Sequence, residues 1–433
     1  MKLRPVLAVL LGCMIAEAYP ASNGETAMSA DAFVDSIGVN IHLTYLNTPY
    51  ANFSMVESSL KNLGVRHVRD GLVDTTWTTY YDRLNTLGQD GIMATLITSP
   101  SESAALLADY PQRVASCFEA YEGPNEYDQS GDPNWASTLN AFMARMQAAI
   151  ASNPSVSKYP IVGPSLTNAA SFPQMAASST DFNYANLHNY FAGRNPGTPG
   201  WGSNGYGSYA WNLSLVAQAW PGKPIRTTET GYFNDVNVSG GVPESVSGTY
   251  MPRLLLEQYI HGIQRTYIYE LVDLNTTQPS SENNYGLVHS DFSPKPAFTA
   301  VQSLLHLLSD PGAAFTPGQL SYSLSGNTTD VQHLLFQKRD GTFYLALWIE
   351  EPTYNDKTLI SVPSRSITLS TATSTVITVH TINAQGQMGS STMAANLTHS
   401  IRVGPQVTVF EISTEQAKPN APVLHKPTIL SNP

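Results

Sequence analysis

Apolar and polar positions change character along this chain. Between residues 37 and 308, short apolar runs alternate with stretches of helical spacing. The runs at 37–43 (IGVNIHL), 65–71 (VRHVRDG), 92–98 (IMATLIT), 118–126 (FEAYEGPNE), 161–166 (IVGPSL), 182–191 (FNYANLHNYF), 223–230 (KPIRTTET) and 265–272 (RTYIYELV) read as strands, the last two or three residues of several of them polar. Helical spacing covers 53–63, 80–87, 104–115, 138–151, 172–177, 209–220, 250–263 and 296–308, and Gly64 stands where a helix ends on a left-handed residue. Strands alternating with helices imply a parallel sheet, and eight units predict closure into a (β/α)8 TIM barrel over 35–312. An open doubly wound sheet is the alternative. It lacks support because neither a dinucleotide glycine fingerprint nor a P-loop follows a strand.

From about residue 315 the period becomes two. Residues 331–338 and 342–349 flank Arg339-Asp340-Gly341 and read as a hairpin, with further strands at 366–369, 376–382, 400–403 and 406–412. These predict a small C-terminal antiparallel β-sandwich over 315–413. Residues 414–433 are rich in proline and polar side chains and read as a disordered or extended tail.

The N-terminus has the marks of an export signal. Lys2 and Arg4 precede an apolar run at 6–16, and Ala16-Glu17-Ala18 fits a cleavage site, so 1–18 is expected to leave and the protein to be secreted or periplasmic. Leu10-Leu11-Gly12-Cys13 supports a second reading, a lipid anchor through Cys13. About ten residues after the signal are polar and unpatterned. No later run is long enough to span a membrane. Without Cys13, Cys117 has no partner for a disulfide, and its place beside a strand suits a buried thiol better than a nucleophile.

Composition narrows the partners. Charged residues are only 13% of the chain and the net charge is −11, which argues against a nucleic-acid partner, since that needs a basic face. In an eight-fold barrel the chemistry sits at the C-terminal ends of the strands. The polar residues expected there are His42, Arg69 and Asp70, Asn125 and Glu126, His188 and Tyr190, Glu229, and Glu270 with Asp273. Two glutamates, Glu126 after the fourth strand and Glu229 after the seventh, are what a retaining glycosidase needs. Glu229 would attack as nucleophile and Glu126 would serve as acid and then base. Glu122, four residues before Glu126, competes for the acid role or pairs with Arg69. Arg69 and Tyr190 could orient Glu229, and Asn125 could bond the adjacent sugar hydroxyl. Trp201, Tyr206 and Tyr232 lie in loops that could present aromatic faces to sugar rings. His188 lacks the Cys/His/Asp spacing of a metal site, and no G-x-S-x-G elbow is present, so no cofactor is expected.

At these residues the chain resembles a clan A glycoside hydrolase, closest to the family 39 and family 5 branches. Arg69, Asn125-Glu126, His188-Asn189-Tyr190 and Glu229 match that clan in type and order, as does the link 285–291 followed by Pro294-Lys295-Pro296-Ala297. The resemblance covers about residues 35–412. It departs where Tyr127 replaces the proline that usually follows Asn-Glu, and where Tyr269-Glu270-Leu271 stands in place of the usual tryptophan. It implies a retaining hydrolase acting on a poly- or oligosaccharide, through a β-linkage or a furanosyl linkage such as an α-L-arabinofuranosyl bond. Transglycosylation on the same site and a non-catalytic glycan-binding protein on a decayed barrel are the alternatives.

Overall fold

The computed structural model describes residues 24–274 and 281–413. The expected signal peptide, Cys13 and the expected tail therefore lie outside the described residues. Two short strands, β1 (Glu25–Thr26) and β2 (Met28–Ser29), precede helix α1 (Ala30–Asp35). The alternating units follow: β3 (Ile37–Asn40), α2 (Phe53–Leu63), β4 (His67–Gly71), α3 (Thr79–Gln89), β5 (Met93–Ile97), α4 (Ala104–Arg113), β6 (Phe118–Glu122), α5 (Trp135–Ala151) and β7 (Ile161–Val162). A 3-10 segment (Ala169–Ser178) replaces the expected short α-helix before β8 (Ala185–His188). Then come α6 (Tyr209–Ala219), β9 (Ile225–Thr230), α7 (Glu244–Ile260), β10 (Ile263–Ile268) and α8 (Pro296–Leu308).

Strands β3 to β10 form one parallel sheet in the order β7-β6-β5-β4-β3-β10-β9-β8. Its two ends meet. A parallel bridge joins Val162 to Tyr184, and Gly163 N–H donates to Tyr184 O at 2.7 Å. The result is the eight-strand barrel, nearly closed by ladder and completed at that single bridge. Helix α2 buries Val56, Leu60 and Leu63 at helical spacing and stops at Gly64, whose φ of 86° is left-handed and suits a residue without Cβ. Cys117 is fully buried and its Sγ donates to Val114 O, while burial pushes the thiol up to about 12.

The C-terminal part is a mostly antiparallel sheet of β12 (Tyr322–Gly326), β13 (Val331–Gln337), β14 (Phe343–Ile349), β15 (Arg365–Ile382), β16 (Met388–Val403) and β17 (Thr408–Ser413), preceded by β11 (Gln319–Leu320). Three features correct the sequence reading. The stretch after the expected signal is not unpatterned: β1 pairs with β11, and β2 adds a parallel edge to β13. Two-residue strands are too short to show a period, so only their partners define them. The strands expected at 366–369 and 376–382 are one strand of 18 residues, with register shifts between Ser370 and Thr375. Its first half pairs with β12 and its second with β17. The strand expected at 400–403 begins already at Met388, because the exposed half of β16 carries little apolar signal.

Strand alternation then serves two cores at once. On β13 and β14, Leu334, Phe336, Tyr344, Ala346 and Trp348 join the barrel's core, while Leu335, Phe343, Leu345, Leu347 and Ile349 join a second core with Ile367, Leu369 and Ile401. The sheet is thereby fastened to the barrel through one of its faces.

Candidate active site

Arg69 is the centre of the barrel's mouth. It projects from β4 and is 2% exposed. Its Nε and Nη2 donate to Glu122 Oε2 and Oε1 at 2.9 and 2.8 Å, its Nη1 to Asn40 Oδ1 at 2.9 Å and Glu229 Oε1 at 2.7 Å, and its Nη2 to Asn125 Oδ1 at 2.6 Å. One guanidinium thus ties β3, β4, β6 and β9 together. Its planar fork suits this, since each nitrogen meets an oxygen in a fixed direction.

Glu122, the true end of β6, is an anchor. It is fully buried, and besides Arg69 its Oε1 accepts from Asn186 Nδ2 and Thr228 Oγ1, both at 3.0 Å. Glu126 lies four residues farther on, beyond Gly123-Pro124-Asn125. It is one of few non-glycine residues in the left-handed region, with φ 43°. That backbone costs an ordinary residue about 1–2 kcal/mol, and Ser165 Oγ holds it by accepting from Glu126 N–H at 2.9 Å. The turn carries the carboxyl out of the strand and into the cleft, where 32% of it is exposed.

Glu229 lies in β9 with its side chain 12% exposed. Arg69 donates to its Oε1, and Tyr190 Oη donates to its Oε2 at 3.0 Å. Burial alone would raise its pKa. The charges of His188 and Arg69 and the hydrogen bonds from Arg69 and Tyr190 outweigh it, and the carboxyl is held below its ordinary value.

His188 joins the two carboxylates. Its Nδ1 is 2.8 Å from Glu126 Oε1 and 3.6 Å from Glu229 Oε2, and its Nε2 is 2.9 Å from Thr228 Oγ1. Thr228 has one hydroxyl proton and faces two acceptors, Asn186 Oδ1 at 2.8 Å and Glu122 Oε1 at 3.0 Å. It therefore gives its proton to one of them and accepts from His188 Nε2–H. Nδ1 is left to share one proton with Glu126 Oε1 in the hydrogen bond between them.

The cleft around these groups has a volume of about 590 Å³ and is lined by Asn125, Glu126, His188, Tyr190, Glu229 and, farther out, Trp201, Tyr206 and Tyr232. Trp201 and Tyr206 pack at 5.1 Å between ring centroids, and Tyr206 and Trp211 at 4.3 Å. Tyr232 is nearly buried, with its hydroxyl donating to Arg194 O at 2.8 Å. His42 and Glu270 stand apart from the cleft lining. Glu270 is fully buried at 2.9 Å from Tyr50 Oη and 3.2 Å from His42 Nε2, and His42 stacks on Tyr45. Asp273 pairs with buried Lys295 at 2.8 Å, and Asp70 accepts from Leu43 N and Gly71 N, its carboxyl pushed up by burial to about 6.

Sequence reasoning did not single out Asn40, Ser165, Asn186 or Thr228, which hold the side chains at the barrel's mouth, nor Glu282 in the cleft lining, and it named Tyr269 and Tyr285 only within the family resemblance. The available signal was Asn186 standing two residues before His188, on the same face of one strand. Glu126, His188 and Glu229 each offer one ligand atom within 4.8 Å of the others, a spacing that also suits a metal ion. The guanidinium on Glu229 argues against that, because it already places a positive charge there.

The sequence matches no family profile and no curated protein. The structure has clear relatives. It is similar to a family 39 glycoside hydrolase from Bacteroides cellulosilyticus WH2 (TM-score 0.58, 15% identity, 88% of this chain and 82% of that one). It is also similar to the GH39 enzyme from Xanthomonas axonopodis pv. citri (0.60, 13%, 89% and 95%) and to a monomeric beta-xylosidase from Caulobacter crescentus CB15 (0.58, 14%, 90% and 98%). The fold is that of family 39 glycoside hydrolases. At these identities the likeness is one of architecture, and it spans the barrel and the sheet together. No helix among the described residues is long and apolar enough to cross a membrane.

Proposed function

We propose that the protein is a retaining glycoside hydrolase acting on a poly- or oligosaccharide, with Glu229 as nucleophile and Glu126 as acid and base. One observation carries this reading: an oxygen of Glu126 and an oxygen of Glu229 lie within 4.8 Å of each other across an open cleft. Retaining enzymes hold their carboxyl groups about 5–5.5 Å apart, whereas inverting ones leave about 6.5–9.5 Å for a water. Glu229, kept ionised by Arg69 and Tyr190, bonds to the anomeric carbon as the glycosidic C–O bond breaks. Glu126 delivers its proton to the departing oxygen. It then takes a proton from the water that releases the sugar from Glu229.

The lining favours an uncharged sugar. Among the described residues, no lysine or arginine lines the cleft, and Glu282 adds a third carboxylate to it. A carboxylated sugar would meet like charge there without a cation to bind it. An exported protein, as the N-terminus suggests, would meet its glycan outside the cell.

The test is release of reducing ends from plant, fungal and bacterial polysaccharides by wild type beside Glu126→Gln and Glu229→Gln. Release by wild type alone, with the anomeric configuration retained in the first product, is the expected result. Retention of one glycan by all three proteins without release would favour a binding protein and remove the catalytic assignment.

A further inference from the structure

Glu350 stands just past the end of β14, on the C-terminal sheet, yet its side chain reaches the barrel's cleft loops. It is 5% exposed. Its Oε1 accepts from Asn195 Nδ2 at 2.8 Å, Gly197 N–H at 2.9 Å and Arg253 Nη2 at 2.5 Å. Its Oε2 accepts from Arg253 Nε and from Trp348 Nε1, both at 2.8 Å. Arg253, on α7, is fully buried and supplies the positive charge that makes a buried carboxylate tolerable. Asn195 and Gly197 belong to the loop between β8 and α6, whose residues 192–207 include Trp201 and Tyr206 on the cleft wall.

We infer that Glu350 is a positioning residue for this wall, and that the C-terminal sheet sets the shape of the catalytic cleft through it. Further contacts agree. A Cβ on Gly197 would lie 2.4 Å from Glu350 Cγ, so the loop approaches as closely as a glycine permits. Arg194, next to Asn195, stacks its guanidinium 4.3 Å from the Trp201 ring centroid and gives its carbonyl to Tyr232. The segment carrying Glu350 also meets the barrel at Thr353, whose N–H donates to Tyr250 Oη at 2.7 Å, and at Asp356, 3.4 Å from the N–H of cleft-lining Gly240. A long glycine-rich loop has a large conformational entropy to lose. Two hydrogen bonds to a carboxylate that is itself locked by Arg253 hold its start, and with it the aromatic wall, in one place.

The experiment uses the full chain and the variants Asn195→Ala, Gly197→Ala, Glu350→Gln and the double variant Asn195→Ala/Glu350→Gln. Neither Asn195→Ala nor Gly197→Ala removes the partner of Arg253. Amide hydrogen exchange is read for peptides covering 195–207 and for the strands 118–122 and 225–230. Exchange in 195–207 is expected to rise about tenfold or more in both single loop variants with the strands unchanged, and the double variant to show less than the product of its single effects. Unchanged loop exchange, or a rise spread evenly over the barrel, would overturn the inference. The kinetic arm rests on the hydrolase reading and uses xylo-, cello- and laminari-oligosaccharides. On whichever series wild type cleaves, KM is expected to rise about fivefold or more in Asn195→Ala with kcat within about twofold. A fall in kcat with KM unchanged would overturn it. If wild type cleaves no glycan, the hydrolase reading fails, and the exchange data alone decide the role of Glu350.

Discussion

His67 and Arg69 stand two residues apart on β4, and each anchors a cluster of buried charge. Around His67 the key carboxylate is Glu119, which accepts from Thr95 Oγ1 and Tyr267 Oη on Oε1, and from Arg265 Nη1 on Oε2, with His67 Nδ1 at 2.9 Å from Oε2. Around Arg69 the corresponding group is Glu229, with one donor on each oxygen, Arg69 and Tyr190. A carboxylate has about four lone-pair sites. Each oxygen of Glu119 meets two donor groups, and Thr95 and Tyr267 also bond each other at 2.8 Å; each oxygen of Glu229 meets one, and the group faces the cleft. Exposure does not separate the two, since their side chains are 14% and 12% exposed. The number of donors does. A saturated carboxylate braces a barrel, and an unsaturated one held in place by two donors is equipped to react. Glu122, fully buried with Arg69 on both oxygens and Asn186 on one, falls with Glu119 although it lies only four residues before Glu126.

The largest expected effect breaks the open cluster. Glu229→Gln should abolish turnover of every substrate, and Glu126→Gln should lower kcat by roughly 10²–10⁴ on poor leaving groups, both with denaturation midpoints close to wild type. Initial rates on glycan and on an activated aryl glycoside, beside urea melts, check this. A large loss of stability without a loss of rate would reverse the assignment of the two clusters.

Next comes the closed cluster. Burial raises Glu119, but the hydrogen bond from His67 and the charges of His67 and Arg265 more than offset it and hold the carboxyl at about 2, against an ordinary 4.5. A depressed folded-state pKa stabilises the fold above the unfolded value and ceases to do so as pH falls through the folded one. Stability should therefore decline between about pH 4.5 and 2. At ~1.36 kcal/mol per unit, Glu119 contributes about 3 kcal/mol near neutrality. Glu119→Gln should lose about that much at pH 7 and show a flatter acid decline, read from urea unfolding against pH. The same decline in wild type and variant would place the effect elsewhere.

A smaller effect sharpens the comparison. Tyr190→Phe removes one of the two donors on Glu229. A hydrogen bond to a charged group contributes about 1.5–3 kcal/mol, so kcat/KM should fall about 10- to 150-fold. The pKa of Glu229 lies below the ordinary carboxylate value, so the acid limb of the wild-type profile should lie low, and in Tyr190→Phe it should move to higher pH. The smallest effect is that of Trp201→Ala on the outer wall. It should raise KM for an oligosaccharide with kcat within about twofold, measured beside the aryl monoglycoside as control.

What the sequence determined was the scaffold and the polar groups that it gathers at one mouth. Eight apolar runs alternating with helical spacing imply a parallel sheet, because each helix returns the chain to the same end of the sheet before the next strand begins. Polar residues at the ends of those runs, Arg69, Asn125, Glu126, His188, Tyr190 and Glu229, are legible for the same reason: the fold gathers strand ends into one mouth. The tertiary structure alone decided which polar residues are left unsaturated. Glu122 and Glu126 differ by four positions and a left-handed turn, and Glu270 and Glu229 look alike as letters following a strand. One is sealed against Tyr50 and the other is open to the cleft. It alone paired β1 with β11 and β2 with β13, and set Glu350 against a loop 153 residues earlier. Periodicity reports which face of an element is buried. It carries no record of the particular partner across space, and hydrogen-bond saturation depends on that partner.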